Sequence, residues 1–159
     1  MKLNSKYLLP LLFALSMVFA SCDKSNPTDK NGYLYDEEMA IAMREPSDEN
    51  NLPENYYYLS FYNSTGEKGV SVVLVGDDNE TALQAGTYNS GNNLLIEDCS
   101  VIAGEKVYLF HKGNGTVTVT GDATNYSFDI ELSDGKKKFH FTYSGAVEGI
   151  SSQEPEQQH

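Results

Sequence analysis

Residues 125–144 have the sequence NYSFDIELSDGKKKFHFTYS, in which apolar and polar side chains alternate on both sides of an Asp-Gly pair. Alternation with a period of two predicts half-buried β-strands. Asp-Gly is favoured in two-residue hairpin turns, because both turn positions have positive φ. The stretch therefore predicts an antiparallel hairpin with one face in the core and the other in solvent.

This hairpin has a definite predicted register, because a turn at Asp134 and Gly135 determines which residues face each other. Three apolar pairs then fill the core face, and two pairs that can have opposite charge lie on the solvent face. The core pairs are Phe128–Phe141, Ile130–Phe139 and Tyr126–Tyr143, and the solvent-face pairs are Glu131–Lys138 and Asp129–His140. The turn chemistry and both faces thus agree on one register.

One more strand is predicted directly before the hairpin. Residues 116–120 are TVTVT, and the four residues 121–124 form the connecting loop. The three strands together predict an antiparallel meander. The core pairs across this loop are Val117–Phe128 and Val119–Tyr126.

A second hairpin is predicted in the first half of the chain. Residues 55–63 and 68–76 are rich in aromatic and β-branched side chains, and the turn residues 64–67 connect them. The predicted core pairs are Phe61–Val70, Leu59–Val72 and Tyr57–Leu74. Shorter strands are predicted at 86–89, 94–102 and 106–111.

Residues 39–44 are either a strand or one helical turn. Glu37 and Glu38, directly before them, suit the start of a helix. A strand is favoured, because the elements around it are predicted to be β. The predicted total is about eight or nine short strands with close connections, which is an all-β antiparallel meander. A small β-barrel is the first choice for its architecture, and a two-sheet sandwich is the second.

Export is predicted from the first residues of the chain. Lys2 and Lys6 precede an apolar stretch over 7–20, which has the length of a signal-peptide core and is too short to span a bilayer comfortably. The stretch ends in Phe-Ala-Ser, followed by Cys22. Two small residues before a cysteine resemble a bacterial lipobox, here with phenylalanine in place of the usual leucine or valine. The alternative is ordinary secretion, with Cys22 as a plain thiol.

The lipobox resemblance implies cleavage before Cys22 and acylation of that residue. Burying several acyl chains, at about 0.8 kcal/mol per CH₂, anchors a protein to a lipid bilayer without a transmembrane helix. The tether after the cysteine is polar, and the last residues lack apolar side chains. The predicted parts are a lipoprotein signal peptide at 1–21, a flexible tether at 22–31, an all-β domain at 32–150 and a disordered tail at 151–159.

The charge balance excludes some partners. The chain has 23 acidic and 11 basic residues, a net charge of −12, and removal of Lys2 and Lys6 with the signal makes it −14. Such a chain lacks the basic surface that nucleic acids require, and an anionic membrane repels it. Lys136, Lys137 and Lys138 are interpreted as a charged hairpin end that opposes strand pairing between molecules.

Four stretches resemble small lipoproteins of Bacteroidetes. They are the lipobox, NYYYLSFYNSTGEKG at 55–69, LQAGTY at 83–88 and the segment from Gly115 to Ile150. The resemblance extends over residues 55–148, and it lies in short stretches of sequence and in the strand order rather than in a catalytic motif. It implies a lipid-anchored protein of the cell envelope, in the outer membrane, with a β-rich and often lipocalin- or calycin-like domain. It implies no particular activity.

No catalytic residue, metal ligand or cofactor is predicted, because the sequence lacks a nucleophile–base motif and a phosphate-binding loop. The segment 77–80 lacks the spacing of a calcium loop and predicts a solvated acidic turn. His140 is expected beside Asp129 on the solvent face rather than in a metal site. Cys99 has acidic neighbours, which disfavour the thiolate, and is predicted to be a buried small hydrophobe.

The tyrosines of the second hairpin suggest a binding surface. When Tyr57 faces the core, Tyr56, Tyr58 and Tyr62 face the opposite side. Two explanations remain open for this second apolar face. It is covered by the segment 33–45 or by the other sheet, or it is a platform for a glycan, lipid or peptide.

The predicted function is that of a non-enzymatic binding module for a small apolar ligand, a glycan or an envelope protein. The alternative is an inhibitor or accessory subunit of another exported protein, such as a protease or a transport complex. The loop 45–54, with two prolines, is the candidate for projection into such a partner.

Overall fold

The computed structural model describes residues 30–45, 55–76 and 82–149, which form ten strands and one short 3₁₀ turn at Ile96–Asp98. No α-helix occurs in these ranges. In chain order the strands are β1 (Tyr33–Glu38), β2 (Ile41–Glu45), β3 (Tyr56–Tyr62), β4 (Lys68–Val75), β5 (Gly86–Asn89), β6 (Ser100–Ala103), β7 (Lys106–Leu109), β8 (Asn114–Asp122), β9 (Asn125–Ser133) and β10 (Lys138–Gly145). The all-β prediction is confirmed.

The strands form two five-stranded sheets. Sheet A has the spatial order β1-β10-β9-β8-β5, and sheet B has the order β2-β3-β4-β6-β7. The strand pairs of the described residues do not close into a single barrel. Two sheets are consistent with a sandwich, which was the second of the two architectures predicted from the sequence. All pairs are antiparallel except β1 with β10, which is parallel.

The chain passes between the sheets at two corners through backbone hydrogen bonds. At the first corner, Met39 N–H donates to Thr142 O of sheet A at 2.7 Å. The next residue, Ala40, donates its N–H to Tyr62 O of sheet B at 2.8 Å. At the second corner, the segment after β5 bonds to β4 through the pairs Val75 N–Asn93 O and Leu95 N–Val73 O, both 2.9 Å.

Inward-facing side chains of both sheets share one apolar core. Phe61 of β3 meets Phe128 of β9 edge-on, with ring centroids 4.9 Å apart. Phe139 of β10 is surrounded by three rings, those of Tyr35, Tyr108 and Phe110. These contacts join sheet A to sheet B, so most of the hydrophobic stabilisation is shared by the two sheets.

The register predicted for β9 and β10 is wrong by two residues. Phe141 is opposite Ile130, not Phe128, and His140 is opposite Glu131, not Asp129. The cause is the turn, because Asp134 Oδ1 accepts the N–H groups of both Lys136 and Lys137 and holds a four-residue loop. A shift of two residues leaves each side chain on its predicted face. The observed pairs include Phe139–Leu132, Tyr143–Phe128 and Lys138–Ser133.

The predicted loop before β9 is also wrong by two residues. Asp122 is opposite Asn125, so the connection has two residues instead of four. Asp122 Oδ1 accepts hydrogen bonds from both the N–H and the hydroxyl of Thr124, which closes this tight turn. The core pairs are consequently Val117–Ile130 and Val119–Phe128.

The other strand predictions have mixed outcomes. The register of β3 with β4 is confirmed, with Phe61 opposite Val70, and residues 41–45 form a strand, as favoured for that segment. The strand β1 and its parallel pairing were not predicted. The predicted strand at 94–102 is a 3₁₀ turn followed by the shorter β6, and β7 ends at Leu109.

Candidate functional site

The three tyrosines predicted as a binding surface lie on the outer face of sheet B. Tyr56, Tyr58 and Tyr62 are each half-buried, whereas Tyr57 between them is in the core. The segment 33–45 does not lie over these rings, because it forms β1 in sheet A and β2 beside β3 in sheet B. Sheet A packs against the opposite face of sheet B. Neither the segment 33–45 nor sheet A therefore covers these three tyrosines.

An apolar row crosses the outer face of sheet B over all five strands. The strand registers place its members side by side. With strands about 4.8 Å apart, the row is about 19 Å long. Its members are Ile41, Tyr62, Gly69, Ile102 and Val107, and the exposed fractions of the three aliphatic side chains are 44%, 37% and 62%.

The glycine in the apolar row determines how Tyr62 lies. A Cβ atom on Gly69 would be only 2.9 Å from Cδ1 of Tyr62. The tyrosine ring therefore lies directly over the glycine backbone, in space that another residue type would fill. Since β3 and β4 are central strands of sheet B, this ring is held near the middle of the row.

A second row, parallel to the first, contains three serines between two apolar ends. Ser60 Oγ and Ser71 Oγ are 2.9 Å apart, so one of these hydroxyls donates a hydrogen bond to the other. The row is Met43, Ser60, Ser71, Ser100 and Leu109, and Leu109 is 54% exposed. The outer face of sheet B is therefore apolar and uncharged over most of its width.

The outer face of sheet A is polar and has a charged cluster around His140. The Nδ1 atom of His140 is 2.8 Å from Asp36 Oδ1, and its Nε2 atom is 3.1 Å from Asp129 Oδ1. Tyr33, whose ring lies beside the imidazole, donates its hydroxyl hydrogen bond to Glu131. Partial burial lowers the pKa of His140, but the hydrogen bond to Asp36 and the charge of Asp129 outweigh it, so the pKa is raised. The cluster joins β1, β9 and β10.

The same cluster contains the groups that could hold a metal ion. The ligand atoms of Asp129, Glu131 and His140 all lie within 4.8 Å of one another. Carboxylate oxygens with one imidazole are a donor set suited to divalent transition metals. The contacts present are equally those of a histidinium between two carboxylates, and the predicted proximity of His140 and Asp129 is confirmed as a diagonal contact.

Two open grooves lie on the outer face of sheet A. The larger, of about 620 Å³, is at the 133 end of β9, and its lining is mainly polar. The other, of about 410 Å³, is lined by hydroxyl groups at the opposite end of the same strands. Side chains lining the larger groove include Tyr33, Asn89, Asn114, Thr116, Glu131 and Lys138.

The remaining predicted residues separate into those described and those outside the described ranges. Cys99 is buried as predicted, and its burial raises the pKa of the thiol to about 12. Such a thiol is a poor nucleophile, which supports a structural role. Cys22, the acidic segment 77–80 and nearly all of the loop 45–54 lie outside the described residues.

Four exposed aliphatic residues of the site were not found from the sequence. Ile41, Ile102, Val107 and Leu109 share the face of Tyr62, although they belong to three different strands. Alternation over 100–109 was the available signal, but a period of two cannot say which of the two faces is inside.

Comparison with known proteins identified no relative of this chain. No protein-family model, curated protein or solved structure matches the chain. Within 30–45, 55–76 and 82–149, no helix has the length and apolarity needed to cross a membrane. The candidate site is therefore defined by the geometry of this chain alone.

Proposed function

We propose that this protein is a lipid-anchored, non-enzymatic binding module of the cell envelope, and that the outer face of sheet B binds a protein partner. The observation that supports the proposal is the apolar row, in which Ile41, Tyr62, Ile102 and Val107 lie side by side across the sheet. Contiguous exposed apolar surface is unusual on a monomer and is typical of interaction sites. Central aromatic residues are typical anchors of such interfaces.

The shape of this face favours a protein over a small apolar ligand. Small-molecule sites are concave and enclose most of their ligand. On the outer face of sheet B the aliphatic side chains of the apolar row are exposed, whereas Ser60 and Val73 are buried. The two grooves described above lie on sheet A. A broad, nearly uncharged surface is complementary to the apolar surface of another protein.

The proposal also covers how the two sheets are connected to each other. The two corners, where Met39 and Ala40 bond to different sheets and where the segment after β5 bonds to β4, support a calycin-like closure of the sandwich. The space between the sheets is occupied by aromatic side chains such as Phe61 and Phe128, so a ligand would bind outside the core rather than between the sheets.

Two other functions remain as alternatives. The larger groove on sheet A, lined by amides, hydroxyls and Tyr33, favours a glycan as a second ligand class. An inhibitor or accessory subunit would use the same apolar face, with an exported protease or transport complex as its partner. The identity of the protein bound at the outer face of sheet B distinguishes this alternative from a general binding module.

Photo-crosslinking tests the binding face. A benzophenone amino acid placed at Tyr62 is expected to form adducts with an envelope protein in intact cells, because this ring lies near the middle of the apolar row. The matched control is the same amino acid at Thr120, an exposed position on the outer face of sheet A. Adducts should be resolved by electrophoresis and identified by mass spectrometry. Adducts from Thr120 but none from Tyr62 would refute the assignment of the face.

Metabolic labelling tests the proposed anchor. An alkyne fatty acid should label the wild-type protein, and Cys22→Ala should remove the label completely, because the lipobox directs acylation to that cysteine. Cys99→Ser is the matched control, since it removes the only other cysteine of the chain and should keep the label. Equal labelling of Cys22→Ala and wild type would exclude lipid anchoring at this residue.

A further inference from the structure

The strand at one edge of sheet B has an unpaired side. β7 is the last strand of the sheet and pairs through Lys106–Leu109 with β6 only. Its other edge pairs with no strand in the part of the chain that the structure describes. An edge strand presents backbone N–H and C=O groups that can pair with a further extended chain.

The side chains of this edge favour pairing rather than preventing it. Val107 and Leu109 point to the outer face and are the most exposed large hydrophobic residues among those described, at 62% and 54%. Natural edge strands are commonly protected by outward charges, prolines or bulges. β7 has an apolar residue at both outward positions, which are also the ends of the apolar and serine rows.

Lysines gather around the same edge of an otherwise acidic protein. Lys106 begins β7 and Lys112 follows shortly after it, and both are exposed. Lys137 Nζ lies 4.6 Å from the ring centroid of Tyr108, which places the 134–137 loop next to β7. Lys136 is a chain neighbour of Lys137 and is also exposed, whereas Lys138 lines the groove on sheet A, and Glu105 is the acidic residue that precedes the strand.

We infer that β7 binds an extended acidic segment of a partner protein, which adds to sheet B as a further strand. This inference rests on the proposed function and specifies the partner. Backbone pairing supplies affinity in this recognition mode, and alternate side chains supply specificity. Apolar residues of the segment would extend the two rows beyond Val107 and Leu109, and its acidic residues would meet the lysines.

Charge argues against symmetric pairing of two copies at this edge. Two β7 strands side by side would bring both lysine groups together, and like charges in contact disfavour association. Although the chain as a whole has a net charge of −12, the lysines at this edge make the local charge positive and complementary to an acidic segment. A second copy is therefore an outcome to be distinguished, not the expected occupant.

Three labelled peptides test the inference by fluorescence anisotropy on the acylated full chain in detergent. The probes are EEVTVTVEE, its charge-reversed form KKVTVTVKK and the proline-containing EEVTPTVEE. The acidic probe should bind at least about tenfold more tightly than the basic one, and added salt should weaken it. Proline should remove binding, because it cannot pair in the middle of an added strand. Equal affinity for all three probes would overturn the inference.

Variants of the edge identify where the acidic probe binds. Val107→Asp and Lys106→Glu should each weaken its affinity by about tenfold or more, because one replaces an exposed apolar side chain of the edge with a charge that repels the probe, and the other reverses an attractive charge. Thr120→Glu, on sheet A, adds a negative charge elsewhere and should leave the affinity nearly unchanged. These side chains are exposed, so circular dichroism should show a folded protein in each case. Unchanged affinity in both edge variants would refute the assignment to β7.

Two further outcomes separate this inference from the proposed function. If the adducts from Tyr62 persist in Val107→Asp, the outer face binds a partner but the edge does not, and only the strand-addition inference fails. If sedimentation shows a dimer that Val107→Asp converts to a monomer, a second copy occupies the edge and the acidic partner is excluded.

Discussion

Replacing Phe139 with alanine is expected to lower the free energy of unfolding by about 3–5 kcal/mol. This ring is fully buried and is surrounded by Tyr35, Tyr108 and Phe110, with ring centroids 5.8, 4.9 and 5.6 Å away. Truncation removes contacts with both sheets at once and leaves a cavity where three rings meet. Urea denaturation, with the midpoint and slope fitted together, measures the loss.

The matched control for Phe139→Ala is Thr120→Ala. Thr120 is exposed on β8, so its truncation should change stability by no more than about 0.5 kcal/mol. The contrast between the two variants tests whether β10 is half-buried as the structure shows. Similar losses in both would contradict the position of Phe139 at the junction of the sheets.

Gly121→Ala is expected to be the most destabilising single methyl addition in sheet A. Gly121 has φ +88°, and a Cβ atom there would lie 2.1 Å from the backbone oxygen of Asn125. The left-handed conformation costs about 1–2 kcal/mol for an L side chain. The clash adds about 1–3 kcal/mol, because backbone atoms of the hairpin must move.

Gly135→Ala separates these two contributions. Gly135 has nearly the same φ, +87°, but a Cβ atom there would meet no atom within 4 Å. This variant should therefore lose about 1–2 kcal/mol for the backbone conformation alone. Thermal and urea unfolding of both variants give the difference. Equal losses would mean that the hairpin at 122–125 relaxes without cost and is not the tight turn described.

The sequence was sufficient to predict which residues of the central strands face the core. In β9 and β10, Phe128, Ile130 and Phe141 are all buried, although each has a different partner from the predicted one. Each residue was still assigned to the correct face, because the register error was two residues, which is the period with which side chains alternate between the faces. A one-residue error would have placed Asp129 in the core, and the alternation excluded it.

The two turns could not be predicted from dipeptide preference alone. Asp134-Gly135 has the composition of a two-residue turn, but the Asp134 carboxylate binds two following N–H groups and opens the loop to four residues. Ala123-Thr124 has no such composition, yet it connects β8 and β9 directly, because Asp122 binds Thr124. In both cases a side-chain acceptor decided the loop length.

The candidate site was predicted only in part, for a similar reason. Tyr56, Tyr58 and Tyr62 were placed on the correct face, because their hairpin has the predicted register. The aliphatic residues of the apolar row around Tyr62 come from β2, β6 and β7, and only the pairing of distant strands brings these residues together. The acylation of Cys22 stays a prediction, since the residue lies outside the described ranges.

The parallel pairing of β1 with β10 has a consequence for the order of folding. The two strands are separated by about a hundred residues, so their contact closes a loop that contains almost the whole domain. Contacts between distant residues form slowly, because the chain entropy must be lost before the contact stabilises anything. During synthesis β1 leaves the ribosome first, and its partner is among the last strands to follow. We therefore expect β1, the first strand to be synthesised, to be the last one to pair, after the hairpins from β3 to β10 have folded.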